Sequence, residues 1–116
     1  MNKELWVNPN PGSAISAGDI TLSDNIQNYK MLRIHFKIEY TSAYYVNALV
    51  NILNGYTQAI KVTTLNDAGT LLFSRGVGIS TGKSLNFENG YYTGALDSQP
   101  IIYTGALIPV RVFGMK

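Results

Sequence analysis

Cysteine is absent from this chain, so it carries no disulfide, no thiolate zinc ligand and no thiol nucleophile. Histidine occurs once, at His35, which leaves a metal site dependent on clustered carboxylates, and the seven acids are spread along the chain. Charge is scarce as well: charged residues make up 14 % of the chain, where globular domains usually carry about a quarter. The nine Lys and Arg run from Lys3 to Lys116 without a cluster and give a net charge of +2, so no linear basic stripe points to nucleic acid. No apolar run approaches the roughly 18 residues of a membrane span, and the opening Met1 to Trp6 lacks the apolar core of a signal peptide. The expectation is a soluble protein made without export and without membrane insertion.

What is present is Gly, Asn, Ser, Thr and Tyr in quantity over 116 residues, enough for a single domain spanning 1–116 that buries one core. The strongest local signal is Leu32 to Tyr40, where apolar and polar residues alternate for nine positions. That period fits a half-buried strand, and a slip of one residue would drive Arg33, His35, Lys37 and Glu39 inward. Ser84 to Glu88 and Ile108 to Phe113 repeat the alternation. Gln58 to Leu65 and Thr70 to Ser74 flank an Asn66–Gly69 turn and read as a hairpin. Glu4 to Val7, Ile15 to Leu22, Tyr91 to Leu96 and Pro100 to Tyr103 complete a set of about eight short strands. Ala43 to Leu53 fits either a helix ending at Asn54–Gly55 or a strand, and its β-branched and aromatic content favours the strand. Short strands between frequent turns imply an all-β antiparallel sandwich, jelly-roll-like or a related barrel.

Chemical motifs are weak. Gly76 to Ser84 has the look of a phosphate loop, yet the glycine that should precede Gly82–Lys83–Ser84 by five positions is Val77, and a strand rather than a helix follows. No nucleophile-elbow motif places a serine near His35, which is expected on the polar face of its strand. Two carboxylates would suffice for a glycosidase, but nothing in the sequence pairs Glu39 with Glu88. The repeat of Tyr92–Leu96 at Tyr103–Leu107 reads as two similar strand-to-turn corners. No cofactor is implied, and the protein is expected to bind rather than catalyse.

The tyrosine pairs are more informative. On a strand, Tyr44–Tyr45 and Tyr91–Tyr92 each send one ring to each face. The exposed ring of each pair, beside Asn and Asp, suits stacking on a sugar and bonding its hydroxyls. Tyr44, Tyr45, Tyr91, Tyr92 and Asp97 are therefore the candidate glycan contacts. The same tyrosines also suit core edges and subunit contacts.

The two ends resemble a known group. Leu5 to Ile15, followed by Ile20–Thr21–Leu22, resembles the "LW-x-N-x-x-P-x-x-x-F/I … I/V-x-L" opening of small domains in tail and baseplate proteins of phages that infect Gram-positive hosts. Ile108 to Lys116 resembles their "IP-x-x-I-Y-G-I-K" close, with Val112, Phe113 and Met115 in place of Ile, Tyr and Ile. The resemblance covers the N-terminal fifth and the last tenth of the chain. It implies a β-sandwich in a virion tail or baseplate, often trimeric, contacting host cell-wall saccharide or another virion protein. A free-standing bacterial carbohydrate-binding module or adhesin domain is the alternative, with a two-carboxylate hydrolase behind it.

Overall fold

The structure is a computed structural model that describes residues 2–96 and 99–116. Among these residues nine strands form: β1 (Asn2–Val7), β2 (Gly18–Thr21), β3 (Met31–Glu39), β4 (Tyr45–Asn51), β5 (Gln58–Leu65), β6 (Leu72–Ile79), β7 (Ser84–Thr93), β8 (Ile101–Ile102) and β9 (Ala106–Met115). One 3₁₀ turn, Ile26–Asn28, lies between β2 and β3, capped by the Asn25 side chain accepting from the Gln27 N–H.

All pairings are antiparallel. A four-stranded sheet runs β1-β9-β3-β4, and a five-stranded sheet runs β2-β7-β6-β5 with β8 beside the far end of β7. The pairs β1–β9 and β2–β7 close early strands on late ones, as in a jelly roll, whereas β3–β4 and β5–β6 are local hairpins. The sheets pack face to face over one core that includes Leu32, Ile34, Phe36 and Val112 from the first and Phe73, Val77, Leu85 and Phe87 from the second. Phe36 meets Phe87 edge-on across the interface, with ring centroids 6.2 Å apart.

The alternating stretch is β3, with Leu32, Ile34 and Phe36 fully buried and Arg33, His35 and Lys37 outward. The ambiguous segment is a strand, β4. Elsewhere the strand boundaries shift. The strand expected at Ile15 to Leu22 shortens to Gly18–Thr21, and that at Pro100 to Tyr103 to Ile101–Ile102. Tyr91 to Leu96 is no separate strand: Tyr91–Thr93 end β7, and Leu96 lies fully exposed in a turn. The glycine-rich stretch is sheet, since β6 runs through Gly76 and Gly78 and pairs with β7 as a hairpin. The two Tyr-Thr-Gly-Ala-Leu copies are not equivalent corners. The first leaves a strand, whereas the second enters β9 with Ala106 and Leu107 buried and Leu107 at φ 52°.

The two terminal motifs form one structural unit. Leu5 and Trp6 face the core beside β9, the Asn8 N–H donates to the Val110 carbonyl oxygen (2.8 Å), and Asn8 Nδ2 donates to that of Pro109 (2.8 Å). Proline in so central a strand needs a break in the ladder, and the register of β3 against β9 shifts beside Pro109. Gly114 lies under Tyr29, where a Cβ would come within 2.5 Å of the ring.

Candidate binding faces

The core leaves each sheet an outer face, and the two differ in chemistry. On the five-stranded sheet, Lys61 of β5, Ser74 of β6, and Asn86, Glu88 and Tyr91 of β7 point outward, and with Asn89 they line a cleft of about 400 Å³. A second, shallower hollow of about 230 Å³ continues past Gly78, Gln58 and Ser80 and shares Asn86 with the first. Together they make one trough across the strands, mixed in polarity at the first hollow and largely apolar at the second.

Glycine shapes this trough. A Cβ on Gly76 would lie 1.7 Å from Glu88 Oε2, so only glycine lets the Glu88 carboxylate lie flat across the sheet. Asn86 Nδ2 donates to Asp19 Oδ1 (2.8 Å), and the Ala17 N–H donates to Asn89 Oδ1 (2.8 Å), which holds the rim in place. Among the described residues Glu88 and Lys61 form no ion pair, so both are free to meet a ligand.

Under this face lies a buried cation. Arg75 is fully buried, and its guanidinium donates to three backbone carbonyls: Nη1 to Glu88 (2.7 Å), Nη2 to Thr104 (3.0 Å), and Nε and Nη2 to Ala106 (3.1 and 2.8 Å). The β6–β7 register breaks beside Arg75, and its side chain takes up the Glu88 carbonyl at that break. Burial alone pulls its pKa down to about 10, so it stays charged at neutral pH. Gly90 makes room, because a Cβ there would sit 2.4 Å from the Tyr103 carbonyl oxygen and 2.8 Å from Arg75 Nη2. Arg75 thus ties β6, β7 and the start of β9 together directly beneath the trough. In the sequence its one cue is an arginine followed by glycine within a β-rich stretch.

The candidate tyrosines do not converge. Tyr91 faces the trough, while Tyr92 turns inward and meets Tyr103 edge-on at 6.0 Å, so this pair splits between faces as expected. Tyr103 in turn packs on Phe73, and its hydroxyl donates to Glu39; burial first, then that bond, push its pKa up. At Tyr44–Tyr45 neither ring joins the core. Tyr44 precedes β4 and Tyr45 begins it, and both are exposed, because an edge strand has no second layer over its end. Asp97 lies outside the described residues.

On the four-stranded sheet, Arg33, His35, Tyr45, Arg111, Val110 and Phe113 line a groove of about 300 Å³. The Arg33 guanidinium sits 4.4 Å over the Phe113 ring, and the His35 and Tyr45 rings stack 4.9 Å apart. His35 Nδ1 lies 2.8 Å from Asn47 Oδ1, so its partners are an amide and an aromatic ring rather than a serine or a carboxylate. Along the β4 edge and the loops at its two ends, Tyr44, Tyr45, Leu49, Leu53 and Tyr56 are all half or more exposed, an apolar strip at the side of the sheet where β4 has no neighbouring strand.

A scan of protein-family models and a search of curated proteins return no match to this chain.

Proposed function

We propose that the protein is a non-catalytic binding and assembly domain of a phage tail or baseplate, with the trough on the five-stranded sheet as its saccharide site. The trough carries this reading: one outward aromatic ring, Tyr91, stands beside the amides of Asn86 and Asn89, the hydroxyl of Ser74 and the carboxylate of Glu88. A sugar ring presents an apolar C–H face for Tyr91 and hydroxyls for the amides and carboxylate. The two hollows meeting at Asn86 suit an extended oligosaccharide better than a single sugar. Asp19, the carboxylate nearest Glu88 in strand register, is taken up by the Asn86 amide, which favours binding over two-carboxylate hydrolysis.

The apolar strip at the β4 edge supports assembly. Its exposed backbone and five large side chains suit burial against a second copy or a neighbouring virion protein. A trimer would set several weak saccharide sites side by side, so that modest affinities multiply.

Tyr91→Ala tests the site, with neutral cell-wall oligosaccharides titrated into ¹⁵N-labelled protein. The expected result is loss of binding with the fold retained. Tyr92→Ala serves as contrast: it should cost about 1–2 kcal/mol of stability, because its ring packs into the core edge. Unchanged binding in Tyr91→Ala would overturn the assignment.

A further inference from the structure

We propose that the groove across the outer face of the four-stranded sheet is a second, separate binding site that takes a phosphate or carboxylate group between Arg33 and Arg111. In the strand register Arg33 pairs with Phe113 and His35 with Arg111, so the two arginines are diagonal neighbours on β3 and β9, both facing outward. The groove holds two guanidinium groups and no carboxylate. Glu4, at its edge, approaches Arg111 Nη1 at 3.5 Å, but both side chains are about half exposed, so this pair neutralises Arg111 only weakly. Arg33 has no acid partner among the described residues, and its buried Nε makes no hydrogen bond.

Arg33 without an acid partner and Arg111 with only the exposed Glu4 carboxylate at the groove edge leave this hollow net positive, and a bound oxyanion offsets that charge. The planar fork of arginine matches a phosphate or carboxylate. The Arg33 guanidinium lies over the Phe113 ring, which restrains it at the groove. Asn47 and Tyr45 hold the His35 ring beside the groove. The cation pair was hidden in the sequence because its members lie 78 positions apart, and only the β3–β9 pairing joins them.

The ligand class is an anionic chain or an acidic group on a larger molecule, and two probes separate its sources. Inorganic polyphosphate and poly-glutamate are titrated separately into ¹⁵N-labelled protein, with neutral dextran as control. The expected result is that at least one polyanion moves amide signals around residues 33–35, 45 and 111–113, while dextran leaves them in place. Whichever polyanion binds more tightly names the group. Arg111→Gln and Arg33→Gln should each weaken binding about tenfold, and added salt should weaken it further. Lys61→Gln and Tyr91→Ala, on the opposite sheet, should leave it unchanged, which keeps this test independent of the saccharide site. Absence of binding by both polyanions overturns the proposal. So does a loss in Lys61→Gln equal to that in Arg111→Gln, or shifts spread over Lys3, Lys30 and Lys83, since either would show diffuse attraction to a positively charged protein. Arg111 is half exposed, so its replacement reads binding even if Arg33→Gln unfolds.

Discussion

β3 and β6 occupy matching places, each flanked on both sides within its sheet, yet they follow opposite rules. In β3 every arginine, histidine and lysine points outward and every core position is aliphatic or aromatic. In β6 the arginine points inward, and two of the outward positions are Gly76 and Gly78. The difference lies in the backbone around each strand. Beside β3 the ladder also shifts, at Pro109, but there the Pro109 and Val110 carbonyl oxygens already accept from Asn8. Beside β6 the bulge and the turn into β9 present the carbonyls of Glu88, Thr104 and Ala106, and Arg75 satisfies them. Hydropathy alone does not decide which way an arginine turns; unpaired acceptors do.

Replacing each arginine should break this comparison most visibly. Arg75→Met strips the bonds from three backbone carbonyls, that of Ala106 buried, and should cost about 3 kcal/mol or more, whereas Arg33→Met should cost less than about 1 kcal/mol. Urea denaturation of both variants gives the numbers, and equal losses would show that the buried clamp adds nothing. Arg75→Lys should recover little, because one ammonium group cannot span the fork.

The glycines on either side of the same sheet make a finer contrast. Gly90→Ala places a methyl against the Ala106 carbonyl oxygen, which Arg75 holds, and the Tyr103 carbonyl oxygen, which accepts from the Ala106 N–H, and should cost about 2 kcal/mol. Gly76→Ala meets only the end of the Glu88 side chain, which can swing into solvent, so thermal melting should show little change. The second variant should still lose saccharide affinity, because Glu88 would no longer lie across the trough.

The parts of this fold that were legible in sequence are those where one face meets the core and the other meets water. β3 satisfies that condition for most of its length. β6 and β7 do not. Their outward residues include glycine, which carries no hydropathy signal, and their bulge breaks the period that alternation depends on. That is why the strands around Gly76 and Gly90 were expected to be shorter than they are. The site followed the same division. Tyr91 was legible because an adjacent tyrosine pair must split across a sheet, whereas Lys61, Ser74, Asn86 and Glu88 join it only through pairings between β5, β6 and β7. Tyr44 and Tyr45 both stay exposed, because the start of this edge strand has water on both sides.

The smallest expected effect contrasts two ways of holding a charge. Arg75 is clamped by neutral carbonyls, so acid leaves its bonding untouched. Asp24, which leads into the 3₁₀ turn, accepts from the Tyr29 hydroxyl (2.8 Å), the Asn25 N–H (2.7 Å) and Asn28 Nδ2 (2.9 Å). Those bonds, that of Tyr29 foremost, hold its carboxyl below the usual 3.8. A depressed carboxylate contributes stability that is full above its unfolded value and is lost as pH falls through the lower folded value. Asp24→Asn should therefore be slightly less stable than the parent at pH 7, and that gap should close below about pH 4. Tyr29→Phe should narrow the same pH dependence by removing the leading bond. The gap between parent and Arg75→Met should instead stay flat from pH 7 down to about pH 3, because every acceptor in the clamp is a backbone carbonyl that does not titrate. Urea midpoints measured across that range read all three, and an Asp24→Asn gap that does not change with pH would mean that the Tyr29 hydroxyl bonds the carboxylate no better than water does.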